Sequence, residues 1–221
     1  MGIFSNMGRS LVVKMFDKFK KKKEQPKIYR QEQIITLINS NNDLYKKVGA
    51  LCSMDFLSDF ISLHKMINSH TFTIDGKVFA SDGCGGYYIF LNDGSIGYVN
   101  LAENECGRVA ETLIDLLELE LNCAYSWHNY GRKNYIDKPD LLEKDIIPLE
   151  VEGREDFEGA YGDTMPQYDD LQRHIAEALQ LHISNNIACD ILPLFYKTSM
   201  REPLFTGKEN ASNYKLNNLV L

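Results

Sequence analysis

The chain has 221 residues, 44% of them hydrophobic, and a formal net charge of −7. That suffices for one sizeable core, or for one domain with appendages. The longest apolar runs are four or five residues, against the ~20 that span a bilayer. The N-terminal sequence lacks the apolar region and cleavage site of a secretory signal. Five scattered cysteines without a CxxC pair predict a reducing, cytoplasmic location, and exclude a disulfide framework or a zinc site of the paired-cysteine kind.

Charge is distributed unevenly along the chain. Residues 1–30 carry nine Lys/Arg and two Asp/Glu, whereas residues 31–221 carry 15 and 29. A basic arm therefore precedes an acidic body. Because a surface of one sign attracts the opposite sign, we expect the body to bind basic partners and to repel nucleic acid.

Residues 1–27 form the predicted basic arm, which contains four consecutive lysines before Pro26. Two interpretations apply to it. Apolar residues at roughly helical spacing would allow residues 1–23 to contact an anionic membrane. A flexible tail is favoured over that contact, because the apolar face is short and lacks a capping residue.

The body begins with residues 28–68, whose apolar spacing predicts helices. In "SMDFLSDFISLHKMI" apolar residues recur every three or four positions, and Ser53 is placed to cap the helix. The period then changes to two. The segments "HTFTI-DG-KVFAS" and "YYIFL-NDG-SIGYVNL" each predict a hairpin, so residues 71–101 are expected to form an antiparallel meander of about four strands.

Helical patterns return after the meander. "GRVAETLIDLLELEL", "DDLQRHIAEALQL" and "NNIACDILPLFYK" predict helices, whereas residues 139–170 look irregular and residues 207–221 read as a polar, frayed tail. We therefore predict a single domain over residues 28–206. Its expected class is α+β, with an antiparallel-rich sheet of about four to six strands packed against N- and C-terminal helices.

Three kinds of chemistry receive little support. "SDGCGGYY" leads into a strand rather than a helix, so it is not a phosphate loop. Cys84 and Cys106 are candidate nucleophiles, but nothing in the spacing ties either to a histidine, and free cysteine is more often a packing group. The histidines show no metal-binding spacing. We expect no catalytic residue, metal or cofactor, and a cysteine-dependent enzyme remains a minor alternative.

The strongest charge signal lies in residues 143–170, which carry ten acids against Lys144 and Arg154. One interpretation is a solvated loop, as most charge runs are. The other is a surface for a basic protein such as a nuclease, whose own face is built for phosphate. Tyr161 and Tyr168 are interleaved with the acids, and tyrosine is enriched at interfaces. Both interpretations stay open at this point.

The order of motifs resembles the SUKH superfamily, the Smi/Knr-type domain. The resemblance is closest over about residues 70–125 and extends over 28–206. Its motifs are an "F-x-S-D-G-x-G-G" strand entry, a "D-G-x-I-x-Y" hairpin, an acidic "E-x-E-x-G" stretch and a leucine-rich helix. They fall on Phe79, Ser81, Asp82, Gly83, Gly85, Gly86, Asp93, Gly94, Ile96, Tyr98, Glu103, Glu105, Gly107, Ala110, Leu116 and Leu119.

This resemblance implies an α+β fold and a binding role without a catalytic motif. Many bacterial members are immunity proteins that neutralise a toxin of a polymorphic or contact-dependent system, and fungal relatives regulate cell-wall synthesis. The leading hypothesis is therefore a cytoplasmic, non-enzymatic immunity protein that binds a basic toxin. The alternative is a regulatory scaffold, associated with the membrane through the basic arm. The candidate contacts are Asp82, Glu103, Glu105, Glu155, Asp156, Glu158 and Tyr161.

Overall fold

The structure is a computed structural model that describes residues 27–131, 135–136 and 138–220. Nearly all of the predicted basic arm, and with it the possible membrane contact of residues 1–23, lies outside the described residues. Within the described ranges, no helix combines the length and the apolar character needed to cross a membrane.

Two helices open the fold, α1 (Lys27–Ser40) and α2 (Asn42–Cys52). The Asn41 side chain caps α2 by accepting a hydrogen bond from the Leu44 amide at 3.2 Å. Ser53 has a φ of 50° and ends α2 in the left-handed conformation. The expectation that Ser53 starts a helix is therefore wrong.

The segment after Ser53 is a strand, β1 (Met54–Ser62), followed by the short helix α3 (Leu63–Met66). Met54 and Phe56 are buried and Asp55 between them is exposed, which is the alternation of a strand. Pairing with a distant strand overrides the helical spacing that the sequence presents.

The predicted α+β class is confirmed by a five-stranded antiparallel sheet with the strand order β1-β3-β4-β5-β6. Its further strands are β3 (Gly76–Asp82), β4 (Gly86–Leu91), β5 (Ile96–Asn100) and β6 (Glu105–Ala110). The predicted hairpin around Asn92-Asp93-Gly94 joins β4 to β5, and Gly94 there has a φ of 89°. Glycine is favoured at this turn because side chains rarely adopt that conformation.

The predicted hairpin around Asp75-Gly76 is wrong. The strand before it, β2 (His70–Phe72), pairs with β7 (Gly207–Glu209) in a second, two-stranded sheet. The C-terminal segment is not frayed, because Leu216 and Leu219 are buried and the Asn217 carbonyl accepts a hydrogen bond from the Cys106 amide at 2.8 Å.

Both faces of the five-stranded sheet are covered. On one face, Tyr88 and Tyr98 belong to the larger core cluster, which includes leucines of α4 (Leu113–Asn122). On the other, Ile89 and Val99 pack with Phe205 in a smaller cluster. Alternate residues of β4 therefore face opposite cores.

The long helix α5 (Pro139–Tyr161) replaces the irregular segment expected over residues 139–170. Leu142 and Ile146 are buried, and Leu149 and Phe157 are partly buried. These residues are spaced by four, three and eight positions, so they lie on one face of the helix, which packs against the larger core cluster. The exposed Pro148 lies within the helix. Three further helices follow: α6 (Tyr168–Leu179), α7 (Ile187–Asp190) and α8 (Leu192–Ser199).

Two glycines of α5 give a matched pair of substitutions. A Cβ at Gly153 would lie 2.5 Å from backbone atoms of Ala124 and Tyr125, whereas a Cβ at Gly159 would meet nothing within 4 Å. We expect Gly153→Ala to lower the free energy of unfolding by about 1–3 kcal/mol through overpacking. Gly159→Ala should raise it by up to about 1 kcal/mol through helix propensity. Urea denaturation measures both changes. Equal changes in the free energy of unfolding, of the same sign, would contradict the close packing of Gly153 against Ala124 and Tyr125.

Candidate functional site

Asp82 ends β3 and is held by internal hydrogen bonds. One carboxylate oxygen accepts the amides of Cys84 and Gly86 at 2.7 Å each, and the other accepts the Tyr98 hydroxyl at 2.6 Å. A Cβ at Gly86 would overlap the Tyr98 hydroxyl and this carboxylate. Asp82 therefore fixes the turn between β3 and β4.

A chain of contacts through His128 and Tyr98 links Glu105 to Asp82. The Glu105 carboxylate lies 3.6 Å from His128 Nδ1, and the His128 ring lies 5.0 Å from the ring of Tyr98. We call Asp82, Tyr98, Glu105 and His128 the hairpin-end cluster. Nearby, the exposed Glu103 donates its amide to the Asn100 side chain at 3.1 Å.

A partly buried carboxylate, Glu120 of α4, lies next to this cluster, and no motif in the sequence points to it. One of its oxygens accepts the Tyr88 hydroxyl at 2.6 Å and the Trp127 Nε1–H at 2.7 Å. Burial raises its pKa from 4.5 to about 7, although those hydrogen bonds and His128 act in the opposite direction.

Glu120 predicts a specific dependence of stability on pH. Its pKa is higher in the folded chain than in the unfolded one, so the folded chain binds more protons between about pH 4.5 and 7. Its contribution to stability is therefore lost as pH rises through that window. We expect Glu120→Gln to match the wild type near pH 5 and to melt a few degrees higher near pH 8. Thermal melts at both pH values test this, and parallel profiles would contradict it.

Cysteine chemistry finds limited support in the geometry. Burial raises the pKa of the Cys52, Cys106 and Cys123 thiols, which disfavours the thiolate that a nucleophile requires. Cys84 is exposed, and no hydrogen bond joins its thiol to a histidine among the described residues. Across residues 27–131, 135–136 and 138–220, no group of three or more His, Cys, Asp or Glu side chains is placed to hold a metal ion.

The remaining candidates lie together near the end of α5. Glu155, Asp156 and Glu158 are exposed, as is Glu152, and we call these four carboxylates the acidic end. The partly buried Tyr161 packs its ring 4.8 Å from that of Phe157. The interleaved acids and tyrosine noted in the sequence are therefore helical neighbours and not parts of a loop.

No described cation forms an ion pair with the acidic end. The nearest basic residue in sequence, Arg154, is bonded to Asp169 and lies 4.5 Å over the Tyr168 ring. Glu158 also lies in the last turn of the helix, where the macrodipole disfavours negative charge. Three like-charge pairs at i,i+3 or i,i+4 add repulsion of about 0.2–0.5 kcal/mol each.

Comparison with protein-family models, with curated proteins and with solved structures finds no match for this chain. The candidate site therefore stands on its geometry alone. It consists of the acidic end of α5 and, separately, the hairpin-end cluster.

Proposed function

We propose that this chain is a SUKH-type immunity protein that binds a basic toxin domain and neutralises it without catalysis. The observation that carries the proposal is the acidic end of α5, where four exposed carboxylates lie without a described cationic partner. The sequence resemblance to SUKH domains supplies the biological class. The exposed carboxylates support a partner of basic charge that binds this part of α5.

The energetics of α5 support a binding role for these acids. Glu158 opposes the helix dipole, and the pairs within the acidic end at spacings of three and four residues repel, so these acids do not stabilise the helix. The cations of a basic partner would offset this repulsion between the acids.

Neutralisation follows from charge complementarity. A nuclease binds phosphate through a cationic surface, and a carboxylate-bearing helix can cover that surface in place of the nucleic acid. Opposite charges also accelerate encounter between the two proteins and disfavour partners of like charge. Tyr161 and Phe157 supply an aromatic edge next to the acids.

We further propose a cytoplasmic location. Cys84 and Cys189 are exposed free thiols, and three other cysteines are buried and unpaired. A reducing compartment keeps such thiols free, whereas an oxidising one would favour their pairing.

The test is co-expression with the product of the neighbouring upstream gene. We expect the two proteins to copurify as a complex and the host cells to be protected from that product. Absence of both the complex and the protection would reject the proposed function.

A further inference from the structure

A groove of about 390 Å³ runs along α5, beside α6 and residues 184–188. Its walls include the buried Ile146 and Ile187. Ile147 and Val151 also line it, but they remain 64% and 51% exposed. The groove therefore presents an apolar strip to solvent.

The exposure of Ile147 and Val151 carries an energetic penalty. Both are β-branched, so they are weaker helix formers than the straight-chain residues common on helix surfaces. Burying such an aliphatic side chain fully is favourable because it removes apolar surface from water. Half or more of each side chain is still exposed, so a partner that covers the groove can gain from burying it.

Acids flank this apolar pair along the helix. Glu143, Ile147, Val151 and Glu155 are spaced by four residues, so they form one continuous ridge on α5, and both acids are exposed. The groove wall also contains Arg154, but its guanidinium is engaged by Asp169 and Tyr168. The ridge thus has an apolar centre between two carboxylates. Neither carboxylate forms an ion pair with a described cation.

We propose that this ridge, Glu143–Ile147–Val151–Glu155, is the anchor site for a basic segment of the toxin. The segment would insert an aliphatic or aromatic side chain over Ile147 and Val151. Lysines or arginines on both sides would reach Glu143 and Glu155, which lie about 18 Å apart along the helix axis. This inference rests on the proposed function and names the part of α5 that supplies most of the affinity.

The arrangement matches the usual anatomy of a protein interface. Binding energy concentrates in a desolvated apolar centre, and a polar rim excludes water around it. Charge at the rim sets partner choice and encounter rate. The acidic end would therefore govern association, and Ile147 with Val151 would govern dissociation.

The experiment compares two double variants of the full chain in binding to the upstream gene product. One is Ile147→Ser with Val151→Ser. Its control is Leu37→Ser with Met200→Ser, which removes two side chains that are 47% and 48% exposed elsewhere. We expect the groove variant to bind at least about tenfold more weakly, mainly through faster dissociation. The control should stay within about twofold of the wild type.

A complex that forms equally well with the groove variant would overturn this inference and leave the proposed function standing. If the wild type does not bind the upstream product, the proposed function fails and a different probe decides the inference. That probe is a short synthetic amphipathic peptide of leucine and lysine, titrated into the full chain and followed by NMR amide shifts. Its control peptide has serine in place of every leucine.

We expect the leucine–lysine peptide to shift amides of residues 143–155 and 184–188, and the serine–lysine peptide to shift them far less. Equal shifts from the two peptides would show attraction by charge alone and would overturn the inference. Shifts confined to another surface would overturn it as well.

Discussion

Replacing Arg108 by methionine is expected to lower the free energy of unfolding by about 3 kcal/mol, because it breaks a buried network by removing its central cation. The Arg108 side chain is 1% exposed and pairs with Asp93 at 2.6 Å. The same guanidinium donates to the backbone carbonyls of Arg201 at 2.8 Å and Pro203 at 2.5 Å. Methionine can fill the space but leaves these acceptors without their donor.

The network joins the β4–β5 turn to the chain after α8, so its loss should loosen both. Urea denaturation measures the effect. Arg173→Met is the control, because the Arg173–Asp170 pair is exposed and such pairs contribute about 0–1 kcal/mol. Similar small losses in both variants would show that the buried network is not a principal support of the fold.

Acid should weaken the same network and lower the free energy of unfolding, because it protonates Asp93. Burial opposes ionisation of Asp93, but hydrogen bonds from Ser95 and Arg108 outweigh it and lower the pKa of Asp93 from 3.8 to about 2. Because this pKa is depressed in the folded chain, the contribution of Asp93 is present above about pH 4 and is lost as pH falls toward 2.

Reversing the charge of Glu155, Asp156 and Glu158 to lysine is expected to weaken toxin binding by about a hundredfold or more. Electrostatic steering alone spans about 10–10³ in association rate, and lysines would repel a basic partner. The triple variant should fold normally and melt at the same temperature or higher, since lysine suits a helix C-terminus.

The control for this variant is Glu32→Lys, Asp59→Lys and Glu177→Lys, three exposed acids on other elements. It makes the same change in net charge. Association rates over a series of salt concentrations separate the two variants. A similar loss in both would show that overall charge, and not the acidic end, attracts the partner.

Local signals explain which elements the sequence predicted. The Asn92-Asp93-Gly94 turn specifies its own hairpin, and the alternating residues around it place β4 and β5 without distant information. The sequence does not predict strand β1, because its apolar residues also fit helical spacing. Only its pairing with β3 makes this segment a strand. The β2–β7 pair joins Thr71 to Lys208, which no local pattern reveals.

Helix α5 was missed because it contains Pro148, Gly153 and a dense run of acids, which together suggest a loop. Because the segment is a helix, the acids of the acidic end lie at fixed positions on one surface. Exposure of Glu155, Asp156 and Glu158 followed from the sequence, since charged residues are seldom buried. Glu120 and the exposed Ile147 could not be predicted, because burial depends on which distant segments cover a side chain.

The most direct test of the account is hydrogen–deuterium exchange on the full chain, free and bound to the upstream gene product. We predict that binding slows exchange in α5, most strongly over residues 143–161, and leaves the edge strand β1 unchanged. Protection confined to other surfaces, with α5 exchanging as in the free protein, would contradict the claim that α5 is the toxin-binding surface.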